Sequence, residues 1–117
     1  MTERSRAQLW RSADALQIGR SSVAWRGDAL EFQIVERGCP LPLALRGSVR
    51  FEPLHRTRHS EALDPAARHW WTPLAPRGRV EVRMREPALS WSGNAYLDSN
   101  QGSEPLEHAF RSWHWSR

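Results

Sequence analysis

An all-β fold of antiparallel strands, a barrel or sandwich, is what the sequence predicts, and three features predict it. Apolar and polar residues alternate from Leu16 onward, turn-forming residues recur at short intervals, and only two stretches carry helical character. Leu16 and Ile18, then Val23 and Trp25, then Leu30, Phe32 and Ile34 alternate with Gln17, Arg26, Glu31 and Gln33. Successive side chains on a strand point to opposite faces, so a period of two marks strands with one wet face. Arg26-Gly27-Asp28 separates two such runs and reads as a hairpin turn. Val49 and Phe51 alternate with Ser48, Arg50 and Glu52. Val80, Val82 and Met84 alternate with Arg79, Glu81, Arg83 and Arg85, the clearest half-buried strand. Gly38, Pro40, Pro42, Pro53, Pro65, Pro73, Pro76, Gly78 and Pro87 are expected to punctuate the intervals as turns. The helical stretches are Glu3–Ala13 and Asp64–Arg68, the second a single turn capped by Asp64. Residues 1–13 thus read as a possible short helix and 14–117 as β-rich.

The bulk composition narrows the class. With 39% hydrophobic and 26% charged residues, the 117-residue chain is expected to be globular, one domain or part of a larger one. Seven Trp imply a thick core or an aromatic-lined cavity. The net charge is +4, and its positive charges come entirely from Arg, spread along the chain rather than blocked. On Arg79–Arg85 the guanidinium groups lie opposite the apolar side with no aromatic beside them, which argues against a nucleic-acid surface. Cys39 is the single cysteine and sits in a turn with no base nearby, so it reads as inert, and a reducing cytoplasmic setting fits. The polar start gives no secretory signal, and no apolar run is long enough to span a membrane as a helix. His55 and His59 have helical metal-ligand spacing, but Pro53 and the neighbouring arginines argue against a helix there, so no metal site is expected.

The chemistry-bearing stretch runs from Trp91 to Glu107. Read as a strand, it puts Trp91, Ala95 and Leu97 on one face and Asn94, Tyr96 and Asp98 on the other. Residues two apart on one face are about 7 Å apart, so a phenol and a carboxyl can share one space. The competing reading is that this face is simply the wet side of the sheet. Asn100, Gln101 and Gly102 read as a tight turn.

Asn94-Ala95-Tyr96-Leu97-Asp98-Ser99-Asn100-Gln101-Gly102, followed by Glu104-Pro105-Leu106-Glu107 and by Phe110, Trp113 and Trp115, resembles the acyclic carotenoid 1,2-hydratases, or hydroxyneurosporene synthases. The resemblance extends upstream through Pro73-Leu74-Ala75-Pro76, His69-Trp70-Trp71, Leu43-Ala44-Leu45-Arg46-Gly47 and Met1-Thr2-Glu3-Arg4, covering essentially the whole chain. Leu97 stands where the family often has an aromatic. Members of that family are considerably longer, so the resemblance implies a central piece of a two-unit, lipocalin-like hydratase. Trp113-His114-Trp115-Ser116-Arg117, an apolar alternation without a stop signal, fits that expectation.

The resemblance implies water addition to the terminal C1–C2 double bond of an acyclic carotenoid such as neurosporene or lycopene. Hydrating an unactivated alkene without redox begins by protonating carbon, and the resulting tertiary cation is captured by water; no metal or organic cofactor is required. Asp98 matches the family's motif acid; burial would help such a carboxyl keep its proton. Tyr96 and Trp71 match aromatic positions whose faces can stabilise the cation, by about 0.5–2 kcal/mol each. His69 is a candidate to orient Asp98 or accept a proton from water, with a satisfied structural histidine as the alternative. Trp71 reads equally as core packing. The implied partners are the carotenoid and water, with peripheral contact to the inner or photosynthetic membrane from the cytoplasmic side. A non-catalytic carrier of a hydrophobic ligand is the competing function, but it has no use for a carboxyl facing an apolar cavity.

Overall fold

The computed structural model describes residues 4–114. Eight strands form one antiparallel sheet: β1 (Leu9–Arg11), β2 (Ala15–Ile18), β3 (Ser21–Arg26), β4 (Ala29–Arg37), β5 (Ala44–His55), β6 (Glu61–Ala62), β7 (His69–Glu86) and β8 (Leu89–Gly102). Strands β1 to β5 follow one another as a meander, β5 pairs with β7, and β7 pairs with β8. The two-residue β6 lies along the start of β7, opposite Trp70 and Trp71.

The alternation read from the sequence explains the pairing. Phe32, Val49, Val82 and Trp91 form one cross-strand row, and Leu30, Phe51, Val80 and Gly93 the next, so four strands present one apolar face. The other face carries Glu31, Arg50, Glu81 and Ser92 in register. Arg50 there bonds Glu31 at 2.6 Å and Glu52 at 2.9 Å, while Arg83 bonds Glu81 at 2.5 Å. A one-residue slip would invert both faces, so the register is strongly specified. The predicted turn between β3 and β4 is present, with Gly27 at φ 59°, the left-handed region glycine enters freely.

The sheet stays open among the described residues. Its radius of gyration is 16.3 Å, against roughly 13 Å for a compact domain of this length. The buried hydrophobic residues are few: Ala29, Phe51 and Ala75. Trp91 and Leu89 on β8 remain about half exposed, at 49% and 52%. An antiparallel, all-β, incomplete barrel or sandwich is therefore the observed class.

Three local expectations are corrected. The helix expected over Glu3–Ala13 does not form in the described part: Arg6–Gln8 is a single 3-10 turn and Leu9–Arg11 is β1. Pairing of Leu9 with Ile18 and Arg11 with Leu16 gives this segment ladder partners that an isolated short helix lacks. Asp64–Arg68 is a turn, not a helix, although Asp64 does cap it. The one α-helix among the described residues, α1, falls instead at Leu106–Ala109. Finally, Pro53, Pro73, Pro76 and Gly78 do not end strands but lie within β5 and β7. Around the last three the β7–β8 pairing skips, so that Pro73 and Leu74 together face Asp98, and Pro76 and Arg77 together face Tyr96. Proline cannot donate to a ladder but is accommodated where a bulge interrupts it.

Candidate active site

The two bulges of β7 sit directly across from the two polar motif residues of β8. Bulges bend a strand and re-aim side chains, and here they free Tyr96 and Asp98 from strict one-to-one pairing. Trp71 lies beyond the first bulge, opposite Asn100. Its indole therefore reaches Asp98 on the diagonal.

The structure brings three of the four candidate residues together. Trp71 Nε1–H donates to Asp98 Oδ2 at 2.8 Å, and Tyr96 O–H donates to the same oxygen at 3.0 Å. All three side chains are half-buried. Two donors on one oxygen fix the carboxyl plane, and Oδ1 takes part in neither bond. The sequence assigns the rings to a cation through their faces; the structure shows that their polar edges hold the acid.

His69 stands apart from this group. It is buried, at 2% exposure, with Nδ1 3.1 Å from Asp64 Oδ2 and Nε2 3.1 Å from the Glu104 carbonyl oxygen. Phe110 meets its ring edge-on at 5.2 Å. Both ring nitrogens are thus engaged away from Asp98, the arrangement of a satisfied structural histidine. Asp64 also accepts the backbone N–H groups of Ala66, Arg68 and His69 at 3.0, 3.1 and 2.8 Å. Burial alone would push the Asp64 carboxyl up, but the Arg68 N–H, the His69 ring and the further N–H donors outweigh it and hold the group below its ordinary range. Arg68 adds an ion pair to Glu104 at 3.0 Å. An Asp-Pro pair opening a turn five residues before a histidine was the available signal for this clasp.

Asn100, Gln101 and Gly102 do not form the expected tight turn. They close β8, paired with Trp71, Trp70 and His69. A Cβ on Gly102 would lie 2.7 Å from His69 Cδ2, so the glycine makes room for the imidazole. Among the described residues no group of three or more His, Cys, Asp or Glu is placed to hold a metal ion. His55 lies on β5, and His59 contacts Glu61 at 3.1 Å. Cys39 is exposed in the β4–β5 loop. Residues 1–3 and the terminal Trp115-Ser116-Arg117 of the motif lie outside the described residues.

Comparison with known proteins agrees with the motif reading. The family model described as carotenoid hydratase CrtC matches residues 1–117. The chain is 49% identical to the acyclic carotenoid 1,2-hydratase of Thiocapsa roseopersicina, over all of this chain and 29% of that protein. It is 45% identical to the enzyme of the same name from Rubrivivax gelatinosus, again over 29% of its length. To that from Rhodobacter capsulatus it is 38% identical, over 42% of its length. The chain therefore spans less than half the length of each of these relatives. No solved structure matches it.

Proposed function

This chain belongs to the carotenoid hydratase family, and on that premise we propose that it is the acid-bearing central part of an acyclic carotenoid 1,2-hydratase, a hydro-lyase. The substrate is an acyclic carotenoid of the neurosporene or lycopene type, with water as co-substrate. Asp98 Oδ1 carries the transferable proton, because Oδ2 is occupied by the Trp71 and Tyr96 donors. The alkene π pair takes that proton at C2, leaving a tertiary cation at C1. A water lone pair closes on C1, and the oxonium proton returns to the Asp98 carboxylate through solvent. No electron is gained or lost overall, and each proton is accounted for.

The remaining parts of Trp71 and Tyr96 supply aromatic surface beside the cation, about 0.5–2 kcal/mol for each ring that presents a face. His69 has no part in proton transfer in this scheme. It anchors the start of β7, two residues from Trp71, and so acts as a positioning residue. Since the substrate is dissolved in lipid, the protein works in peripheral contact with a membrane; no helix of the described residues is long and apolar enough to cross one.

The observation that carries this reading is the convergence of two hydrogen-bond donors from two strands on one carboxyl oxygen. Its test is to express the full-length protein in cells that accumulate lycopene or neurosporene and to compare Asp98→Asn. Positioned acid catalysis is worth about 10²–10⁴-fold, so hydroxylated product should fall by at least two orders of magnitude at equal protein level. Undiminished hydroxylation by Asp98→Asn removes Asp98 from the chemistry.

A further inference from the structure

The antiparallel meander gathers three connections at one end of the sheet: the Gly19–Arg20 turn, the β4–β5 loop over residues 38–43, and the Pro87–Ala88 turn between β7 and β8. The segment that leads into β1 reaches the same end, since Leu9 pairs with Ile18. A cleft of about 550 Å³ opens there, lined by Arg4, Arg20, Arg37 and Arg46, with Glu36 as the one acidic residue among the described residues that line it. Glu36 is already satisfied: Arg4 pairs with it, and Ser21 donates to it at 2.9 Å. Arg46 contacts Glu86 at 3.4 Å. Arg20 and Arg37 have no carboxylate partner among the described residues, so the cleft keeps an excess of positive charge.

Beside these arginines the loop presents bare apolar groups. Leu41 and Leu43 are 68% and 67% exposed, and Leu89 and Leu9 at the same end are 52% and 50% exposed. The loop is held in this form rather than hanging loosely. Gly38 N–H donates to the Leu43 carbonyl at 2.8 Å, and Leu43 N–H donates to the Leu41 carbonyl at 2.8 Å. A Cβ on Gly38 would come within 2.9 Å of the Leu41 carbonyl oxygen, so this tight path needs glycine. Leucines at a braced tip with unpaired guanidinium groups behind them match the two-part requirement for interfacial binding, in which an apolar wedge enters the acyl boundary and basic groups meet lipid phosphates. An apolar protein segment laid over the leucines would instead strip water from the two unpaired cations without neutralising them.

We propose that this end of the sheet is the docking surface for an anionic phospholipid bilayer, with Leu41 and Leu43 entering the interface and Arg20 and Arg37 taking phosphate groups. The inference rests on the membrane contact proposed above and locates it. The test uses the full-length protein, cosedimented with vesicles of phosphatidylcholine alone or with added phosphatidylglycerol, as wild type, Arg20→Gln/Arg37→Gln and Leu41→Ser/Leu43→Ser. Thermal unfolding confirms that these exposed changes leave the fold intact. Wild type should bind the phosphatidylglycerol vesicles, with affinity falling as salt rises. The arginine pair should weaken that binding by roughly 10- to 30-fold and flatten the salt dependence. The leucine pair should weaken binding to both vesicle types by about 10-fold or more. Wild-type binding that persists unchanged in either variant overturns the assignment and points to coverage of this end by other parts of the protein. No wild-type binding to either vesicle overturns both this surface and the membrane contact. Hydration of detergent-dispersed carotenoid by the same preparation reports on the catalytic reading independently.

Discussion

Trp71 on β7 and Asp98 on β8 are joined by a 2.8 Å N–H···O bond although neither is the other's ladder partner. The bulge at Pro73 and Leu74 makes this possible, because two residues of β7 there face the single residue Asp98. Tyr96 completes the arrangement from the same strand as the acid. Because both donors serve one oxygen, their effects are coupled. Trp71→Phe and Tyr96→Phe each remove one donor to the carboxylate that forms as Asp98 gives up its proton, worth about 1.5–3 kcal/mol at that point, and each should lower kcat roughly 10- to 100-fold. The double variant should fall short of the product of the single effects, since one donor alone no longer fixes the carboxyl. Product formation from neurosporene in the full-length enzyme checks this. Strict multiplicativity would mean that the two residues act on different parts of the reaction.

His69 should behave as a structural residue. Truncation to alanine leaves the Glu104 carbonyl without its imidazole partner and takes one donor from the Asp64 carboxylate, which keeps its three backbone N–H bonds. Leaving a buried acceptor without its partner costs about 1–3 kcal/mol, and the cavity left by the ring adds to it. His69→Ala should therefore lower Tm markedly while the activity per folded molecule falls much less than in Asp98→Asn. If Tm holds and kcat collapses with an altered pH profile, the imidazole belongs in the proton path after all.

Acid stability follows from two carboxyls. The Asp64 group is held below its ordinary range despite its burial, by the Arg68 N–H, the His69 ring and neighbouring N–H donors. The Glu36 group is held low chiefly by the Ser21 hydroxyl, against burial and with help from Arg4. A depressed folded pKa contributes stability above the unfolded value, and that contribution is lost as pH falls through the folded one. Tm should thus be flat from neutral pH down to about 5, then drop below about pH 4. Asp64→Asn should start lower and show a shallower acid slope. An acid slope in Asp64→Asn as steep as in wild type would place the acid sensitivity elsewhere.

The strands around Phe32, Phe51 and Val82 follow from alternation because one face of the sheet is apolar, and period then equals orientation. Tyr96 and Asp98 could be placed on a common face for the same reason. Pro73 and Pro76 misled because proline marks turns in most chains, whereas here it occupies bulges inside an 18-residue strand. Local propensity cannot distinguish the two, since the difference lies in what β8 places opposite. Likewise Arg6–Arg11 has helical composition, and only its tertiary partner Leu16–Ile18 makes a strand of it. The diagonal reach of Trp71 to Asp98 and the approach of His69 to the Glu104 carbonyl depend on how β7 pairs with β8, which no local pattern encodes.

Two buried glycines separate a packing constraint set chiefly by a side-chain ring from one set chiefly by backbone. A Cβ on Gly78 would lie 2.4 and 2.5 Å from the Phe51 ring atoms Cε2 and Cζ and 2.9 Å from the Glu52 carbonyl oxygen, so the ring occupies most of the space a side chain would need and backbone bounds the rest. Phe51 is one of the few buried apolar residues, and the aromatic covers the glycine across the strand pair. Gly78→Ala should cost about 1–3 kcal/mol through displacement of that ring. Phe51→Leu should itself cost about 1 kcal/mol or more, yet the double variant should recover part of the loss, a coupling of about 1 kcal/mol. Gly47 differs in kind: its Cβ would meet the Arg83 carbonyl oxygen at 2.5 Å and the Met84 Cα at 2.6 Å, both backbone atoms, as well as Met84 Sδ at 2.5 Å. Trimming the Met84 side chain leaves the two backbone clashes in place. Gly47→Ala should therefore destabilise at least as much as Gly78→Ala, and Met84→Ala should give it no relief. Thermal unfolding of the four single and two double variants decides this. Rescue of Gly47→Ala by Met84→Ala would show that the β5–β7 ladder yields at Gly47, and that backbone contact does not set the register there.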